Sequence, residues 1–281
     1  MGQIIFSRTR HVYDSYVDFW RLVELSGFHW VYYDQIDFQS DNLYIHSPMN
    51  GNYREFLSSH ARDRRCTLAH WLLERPTPEG KETPVEALRR YRDANRELEA
   101  MRYVDVTVVS DPLLSERTGF KYIPMGSHRD LGEWSPDKAY DFVGLMAPYP
   151  RRMFLFNGDK VKSEWEGMTF APNANGIHEA DLRDLCLRAS RFGLNIHNDV
   201  HPYCEPLRFA VFAAYALPIV TETLSFGTIY HMSVCQSDYP NLRNAMKAAL
   251  DRYDVWVEWG KYLHAEMTST GSFRRRLEEN L

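Results

Sequence analysis

Paired cysteines and long apolar runs are both missing from this sequence. The four cysteines stand apart, with no C-x-x-C pair, so we expect neither a zinc site of paired cysteines nor a disulfide framework. The longest nearly apolar run, residues 209–220, is too short to span a bilayer. No charged N-terminus leads into an apolar run of signal-peptide length. We therefore expect a cytoplasmic protein with reduced cysteines.

Two nucleotide-binding signatures are also absent. No G-x-G-x-x-G follows the first predicted strand and no G-x-x-x-x-G-K-[ST] occurs anywhere, which removes the main support for a dehydrogenase or a P-loop kinase. The net charge of −5 gives no overall attraction to a polyanion. A nucleic-acid partner would need a local basic patch, and arginines cluster at 62–65, 89–96 and 274–276.

What the chain does contain is enough apolar material for two cores. At 281 residues, of which 44% are apolar, it is long for one domain. Short apolar runs alternate with longer stretches at helical spacing, a pattern typical of βα units around parallel sheets. We predict an α/β fold of two Rossmann-like domains, residues 1–130 and 131–281, with a linker at 129–138. The domains are expected to face each other across a cleft that holds the site.

Individual elements follow from the same patterns. In the first half we predict strands at 3–6, 29–33, 43–46, 67–73, 104–109 and 122–124. In the second half we predict strands at 141–145, 168–171, 193–197, 217–221 and 228–232, and helices at 150–157, 179–191, 206–215 and 242–253. The helix at 179–191 is expected to place Leu182, Leu185, Cys186 and Ala189 on one face.

The most informative stretch is residues 193–222, GLNIHNDVHPYCEPLRFAVFAAYALPIVTE, which predicts strand, loop, helix and strand. Pro206 suits the first turn of a helix, and the free N–H groups and positive dipole end of that turn favour a diphosphate. Arg208 can add a bidentate phosphate contact, and Glu205 can accept from ribose hydroxyls. The alternative is that Glu205 only complements the helix dipole while Arg208 pairs with it.

Other segments accompany this stretch in a characteristic order. They are Val109-Ser110-Asp111 with Tyr122-Ile123-Pro124-Met125-Gly126, and Phe142-Val143-Gly144-Leu145 followed by Arg151 and Arg152. Together the segments resemble GT-B glycosyltransferases over nearly the whole chain. One departure is Val211, which stands where many retaining members carry a second glutamate. The retaining mechanism is therefore not carried over.

The resemblance implies a hexosyl- or pentosyltransferase that uses a nucleotide-sugar donor, with a UDP-sugar expected and no metal cofactor required. It implies that Glu205 holds the nucleotide ribose. The basic residues just beyond Gly144, Arg151 and Arg152, would reach the donor phosphates. Glu222 closes the last matching segment and joins the predicted donor-binding set.

Two further side chains are candidates for donor contacts. His197, at a predicted strand end, is expected to bond the donor phosphate or a sugar hydroxyl, with a purely structural histidine as the alternative. Asn173 can contact the base, although such loops usually just make turns. His197 and His201 stand four apart beside Asp199, but Pro202 and the loop make helical metal-binding geometry improbable. We expect no metal.

The catalytic candidates lie in the first half. Glu74 follows the predicted strand at 67–73, and Asp111 follows the next one, so either carboxylate can act as general base toward an acceptor hydroxyl. Either can instead cap a helix or pair with an arginine. His70, Asp34 and His11 are weaker candidates.

These observations predict a glycosyltransferase that moves a sugar from a nucleotide-sugar to an acceptor hydroxyl. The acceptor is a glycan or small molecule or, given the basic clusters, a hydroxymethylated base in DNA. Two alternatives stay open: a nucleotide-sugar epimerase of the same fold, and a non-catalytic protein that senses nucleotides or binds a partner.

Overall fold

A computed structural model describes the chain at residues 2–10, 16–47, 51–60, 63–73, 101–146, 150–155, 165–172, 180–197, 205–224, 234–269 and 271–281. Glu74, Asn173, His11 and the predicted strand at 228–232 lie outside these residues.

Residues 1–16 and 23–124 form one compact unit around a six-stranded sheet. All neighbouring strands run parallel, in the order β2-β1-β3-β4-β5-β6. The strands are β1 (Ile4–Arg8), β2 (His29–Tyr32), β3 (Leu43–His46), β4 (Thr67–Leu72), β5 (Val106–Val109) and β6 (Lys121–Tyr122). The helices in this part of the chain are α1 (Val17–Leu25), of which residues 17–22 belong to the second unit, α2 (Gly51–His60) and α3 (Pro112–Thr118).

Continuous apolar runs specify these strands, because parallel strands are covered on both faces. In β4 every residue from Leu68 to Leu72 is buried, including His70. Each strand predicted for this half begins and ends within two residues of the predicted position. The prediction succeeded here because short, mainly apolar runs rich in β-branched and aromatic residues, bounded by turn residues, are typical of buried parallel strands.

Residues 17–22 and 125–281 form the second unit, around a parallel four-stranded sheet in the order β10-β9-β8-β7. Its elements are β7 (Tyr140–Gly144), α4 (Ala180–Arg188), β8 (Ser190–Asn195), α5 (Pro206–Ala214), β9 (Ile219–Glu222), β10 (Val234–Ser237), α6 (Leu242–Leu250), α7 (Tyr253–Thr268) and α8 (Phe273–Asn280). Two parallel sheets with intervening helices confirm the α/β class with Rossmann-like units.

The two units divide between Pro124 and Met125, whereas the sequence predicted a division after residue 130. The segment predicted as a linker includes residues packed into the second unit. Leu131 is buried, and a Cβ on Gly132 would lie 2.5 Å from the ring of Tyr215.

The helix predicted at 179–191 ends earlier than predicted, and its apolar face is only partly buried. α4 ends at Arg188, and β8 begins two residues later. Leu182 and Leu185 are 45% and 60% exposed, although Cys186 is buried as expected. The reason is that Arg183 is buried in an ion pair with Asp18, which turns a charged position inward.

Other expectations for this half were also modified. The predicted strand at 168–171 is reduced to an isolated bridge between Phe170 and Phe142. The predicted helix at 150–157 is a 3-10 segment, Pro150–Leu155. No helix among the described residues has both the length and the apolar character needed to cross a membrane.

Close backbone approach positions α5 on the second sheet. A Cβ on Gly193 of β8 would lie 2.5 Å from Cγ of Phe212, so the ring occupies the space that glycine leaves. On the other side, α7 approaches through Gly260, where a Cβ would lie 2.4 Å from the carbonyl oxygen of Ala216. The first contact sets the distance between α5 and β8, and the second sets the distance between α7 and the turn that follows α5.

Candidate functional site

Polar side chains gather where β7, β8 and β9 end. Parallel pairing places Gly144 beside Leu194 and Asn195 beside Thr221. The first turn of α5 lies at the same edge, because Arg208 in that turn bonds to Asn195. The carboxyl edge of an open parallel sheet is where ligands bind in such folds.

Glu205, immediately before α5, lies between two guanidinium groups. Its Oε1 atom is 3.3 Å from Nη1 of Arg208 and 3.7 Å from Nη2 of Arg152. The Arg152 side chain is 3% exposed, while that of Glu205 is 24% exposed. The pairing of Glu205 with Arg208 that the sequence offered as an alternative is present, and Arg152 joins it.

Backbone carbonyls hold both arginines in place. Nε of Arg208 donates to the Leu145 carbonyl at 2.8 Å, and Nε of Arg152 donates to the Ile196 carbonyl at 2.6 Å. Arg208 also donates to the side-chain oxygen of Asn195. Because a guanidinium is planar, one fixed edge orients the remaining N–H groups, as bidentate recognition of phosphate or carboxylate requires.

A second charged pair lies beside the first. Arg151 donates to Glu222, a residue that is 5% exposed, and the guanidinium carbon of Arg151 lies 4.1 Å from the centre of the Tyr239 ring. The other carboxylate oxygen of Glu222 accepts from the backbone N–H of His197 at 2.7 Å. Glu222 therefore joins the ends of β8 and β9 to Arg151.

His197 is buried in this cluster and 3% exposed. Its Nε2 atom lies 3.0 Å from the carbonyl oxygen of Thr223. Burial lowers the pKa of His197 from 6.5 to about 4, against the raising effect of the Thr223 hydrogen bond and of Glu205. The charges of Arg208 and Arg152 lower the pKa of His197 further. The ring is therefore neutral at physiological pH.

The first turn of α5 keeps its capacity for an anion. Pro206 occupies the first turn, as predicted, and Glu205 at the N-cap makes no side-chain hydrogen bond to the helix. The first N–H groups of a helix have no acceptor within it, and the dipole favours negative charge there. Three arginines against two glutamates add one excess positive charge at this edge.

The structure brings most of the predicted donor-binding set together. Gly144 ends β7, and Arg151, Arg152, His197, Glu205, Arg208 and Glu222 form the connected network at the same edge. Asn173 lies outside the described residues, so its role stays a prediction.

The catalytic candidates stay predictions as well. Asp111 is 3% exposed and acts as the N-cap of α3, where its Oδ1 accepts from the Leu114 N–H at 2.8 Å. His70 is buried with Nδ1 2.9 Å from the His46 carbonyl oxygen. Asp34 pairs with Arg10 at the surface. Each side chain therefore has a structural contact, and Glu74 lies outside the described residues.

Two members of the network were not predicted as site residues. Asn195 and Thr221 are fully buried in adjacent strands, and Nδ2 of Asn195 donates to Oγ1 of Thr221 at 2.8 Å. The signal was available, since an amide and a hydroxyl near the ends of otherwise apolar strands need buried partners. Among the described residues, no three His, Cys, Asp or Glu side chains group closely enough to hold a metal ion.

No protein-family model and no curated protein sequence matches this chain. Several solved structures are similar to it, including the following two. The crystal structure of TarM has a TM-score of 0.57 at 11% identity, over 88% of this chain and 55% of that one. An α,α-trehalose-phosphate synthase (UDP-forming) from Burkholderia vietnamiensis has a TM-score of 0.54 at 10% identity, over 99% of this chain and 98% of that one.

The chain has the GT-B fold. This confirms the fold that the sequence segments implied. This chain covers little more than half of the TarM chain but almost all of the synthase chain. In the GT-B fold seen here, the cluster around Glu205 lies at the carboxyl edge of the second sheet, where the motifs predicted the donor site.

Proposed function

We propose that this protein is a glycosyltransferase whose second unit binds a nucleotide-sugar donor, with a UDP-sugar as the first candidate. The observation that carries the proposal is the convergence of Arg152 and Arg208 on Glu205 at the first turn of α5. Two oriented guanidinium groups and a helix N-terminus supply what a diphosphate leaving group needs for charge stabilisation.

Glu205 has two candidate roles in this proposal. As a ribose acceptor it would bind two hydroxyls of the nucleotide. As a partner of Arg152 and Arg208 it would keep both cations in place until the diphosphate arrives. The two roles predict different effects for Glu205→Gln. If Glu205 binds the ribose, the substitution weakens the binding of ligands that contain a ribose and not the binding of pyrophosphate.

The acceptor is proposed to be a glycan or small molecule rather than modified DNA. In the described parts of the basic clusters, arginines are matched with carboxylates. Arg64 and Arg65 pair with Asp105 and Asp41, and Arg274 and Arg275 pair with Glu278 and Glu279. These arginines are balanced one for one by carboxylates and leave no excess positive charge for a DNA backbone, whereas the cluster around Glu205 has one more arginine than glutamates.

The test is calorimetry and thermal shift with UDP, GDP, ADP, CMP and their sugar conjugates. For the nucleotide that binds, Arg208→Lys should weaken affinity about tenfold or more, because lysine keeps the charge but loses the planar fork. Glu205→Gln should weaken nucleotide binding and spare inorganic pyrophosphate if Glu205 holds the ribose. If it only holds the arginines, pyrophosphate binding should change as well.

The matched control is Arg274→Lys, which changes an exposed arginine of α8 in the same unit and should leave affinity unchanged. Transfer is then measured with the selected nucleotide-sugar and a panel of glycan and small-molecule acceptors, with hydroxymethylated DNA included. Folded wild-type protein that binds none of the nucleotides would contradict the proposal. Conversion of the sugar without any acceptor would favour an epimerase.

A further inference from the structure

The His197 side chain has one satisfied and one unsatisfied ring nitrogen. Nε2 lies 3.0 Å from the Thr223 carbonyl oxygen, whereas Nδ1 is buried and has no hydrogen-bond partner among the described residues. The ring is 3% exposed. In native proteins most buried polar atoms have a hydrogen-bond partner in the protein, in ordered water or in a ligand. Nδ1 therefore needs a partner that the described residues do not supply.

The Thr223 contact fixes which nitrogen carries the proton. A carbonyl oxygen only accepts hydrogen bonds, so Nε2 must be the donor. In a neutral imidazole the other nitrogen is then an acceptor with no hydrogen. Burial lowers the pKa of His197 to about 4, which keeps the ring neutral at physiological pH. Nδ1 can consequently bind only a group that donates a hydrogen bond.

This requirement excludes the diphosphate itself as the partner of Nδ1. The phosphates of a nucleotide-sugar are diesters that carry no proton near neutral pH, so they only accept hydrogen bonds. Arg152 and Arg208 suit them, and Nδ1 does not. The sequence alone left phosphate and hydroxyl open for His197, and the tautomer distinguishes between them.

The position of His197 indicates which part of the ligand lies nearby. The charges of Glu205, Arg208 and Arg152 all act on its ring, so His197 belongs to the cluster proposed for the diphosphate. In a nucleotide-sugar the diphosphate is bonded directly to the ribose and to the transferred sugar. Both carry several hydroxyl groups, which are the nearest hydrogen-bond donors to the phosphates.

We propose that Nδ1 of His197 accepts a hydrogen bond from a hydroxyl group of the nucleotide-sugar, on the ribose or on the transferred sugar. His197 is then a specificity-determining residue that distinguishes a hydroxylated donor from its deoxy analogue. This inference rests on the proposed function, since it takes the ligand to be a nucleotide-sugar.

Two variants separate the roles of the ring nitrogens. In His197→Gln the introduced side-chain amide reaches the position of Nε2 and keeps a donor for Thr223, but the acceptor at Nδ1 is removed. We therefore expect His197→Gln to lose the hydroxyl contact while the bond to Thr223 survives. The shorter His197→Asn carries its amide oxygen at the distance of Nδ1 and can retain that acceptor.

The ligands are the nucleoside diphosphate that binds best, its 2′-deoxy and 3′-deoxy forms, its sugar conjugate with single deoxy positions on the sugar, and inorganic pyrophosphate. Calorimetry on wild-type protein should show one deoxy ligand binding about tenfold weaker than its parent, which is the loss expected for one buried hydrogen bond. His197→Gln should bind the parent and that deoxy ligand equally. His197→Asn should retain part of the discrimination.

The ligand arms also identify the source of the hydroxyl. Sensitivity to a deoxyribose assigns the contact to the nucleotide, and sensitivity to a deoxysugar assigns it to the transferred group. Equal weakening of every ligand by His197→Gln, pyrophosphate included, would show a structural histidine and overturn the inference while leaving the proposed function standing. Wild-type protein that binds no nucleotide would overturn both.

Discussion

His197 makes stability depend on pH at the scale of a single residue. Burial lowers its pKa from 6.5 to about 4 in the folded protein. Between these two pH values the unfolded chain binds a proton at His197 that the folded protein does not bind. The free energy of unfolding is therefore unaffected by this residue above pH 6.5 and decreases as the pH falls toward 4. The loss is at most about 3 kcal/mol.

Urea unfolding at a series of pH values measures this effect. The decline in unfolding free energy between pH 6.5 and 4 should be smaller in His197→Gln than in the wild type. The same substitution at the exposed His29 controls for the removal of an imidazole. Parallel pH profiles for wild type and His197→Gln would show that His197 does not carry this dependence.

Ala216 is a second residue whose effect is local. It has a φ of 50°, in the left-handed region that favours glycine. Ala216→Gly removes strain of about 1 kcal/mol but also loses a buried methyl group and raises the entropy of the unfolded chain. We therefore expect the free energy of unfolding of Ala216→Gly, measured by thermal unfolding, to lie within about 1 kcal/mol of the wild-type value.

The matched substitution is Ala210→Gly, inside α5 and also buried. No strain is relieved there, so we expect a loss of about 2 kcal/mol from helix propensity and the missing methyl group. Equal losses at both positions would mean that the left-handed conformation at Ala216 costs nothing.

At the scale of elements, the contact between β8 and α5 depends on Gly193. A Cβ there would lie 2.5 Å from Phe212 Cγ. Because the buried Phe212 ring is closely packed, it cannot shift to make room for the added methyl group without disturbing its neighbours. Gly193→Ala should destabilise the protein by about 1–3 kcal/mol. It should also weaken nucleotide binding, because a displaced α5 carries Arg208 away from its partners.

Phe212→Leu tests whether that ring is the cause. The double variant should be less destabilised than the sum of the single variants, by about 0.5 kcal/mol or more in urea unfolding. Strict additivity would mean that the added methyl group is accommodated elsewhere.

Elements also show where sequence reasoning succeeds and where it stops. The strands of the first sheet and α5 could be predicted because their apolar patterns admit one structural solution. The buried face of α4 could not, since Arg183 becomes a buried position only through Asp18, which lies far away in the sequence.

The site divides in the same way. The helix that begins at Pro206 was predictable from residue order, and the pairing of Glu205 with Arg208 was one of the predicted alternatives. The sharing of Glu205 with Arg152 and the tautomer of His197 depend on distances between strands that no local pattern specifies. Long-range polar contacts were therefore the part that the sequence left undetermined.

At the scale of the whole molecule, residues 17–22 belong to the second unit although they lie near the start of the chain. Two ion pairs hold them on α4. Asp18 pairs with Arg183, where both side chains are 5% exposed, and Arg21 Nη1 lies 3.1 Å from Asp184 Oδ1. Phe19 adds an edge contact to Phe273 of α8, with ring centres 6.1 Å apart.

The buried pair should dominate the stability of this attachment. Asp18→Asn leaves the Arg183 charge buried without its carboxylate, which costs about 3–5 kcal/mol when a buried pair is broken. Urea unfolding should show that loss, while Glu278→Gln, which breaks an exposed pair with Arg274, should cost less than about 1 kcal/mol.

Replacing both partners distinguishes a lost pair from a distorted helix. The double variant Asp18→Leu with Arg183→Met removes both charges, and we expect it to recover most of the stability that Asp18→Asn loses, because apolar residues of similar volume can replace a buried ion pair. If the double variant were as unstable as the single one, the cost would lie in packing around α1 and α4 rather than in an uncompensated charge. Recovery would instead show that the cost of Asp18→Asn comes from the unpaired charge of Arg183 and not from the packing of residues 17–22 on α4.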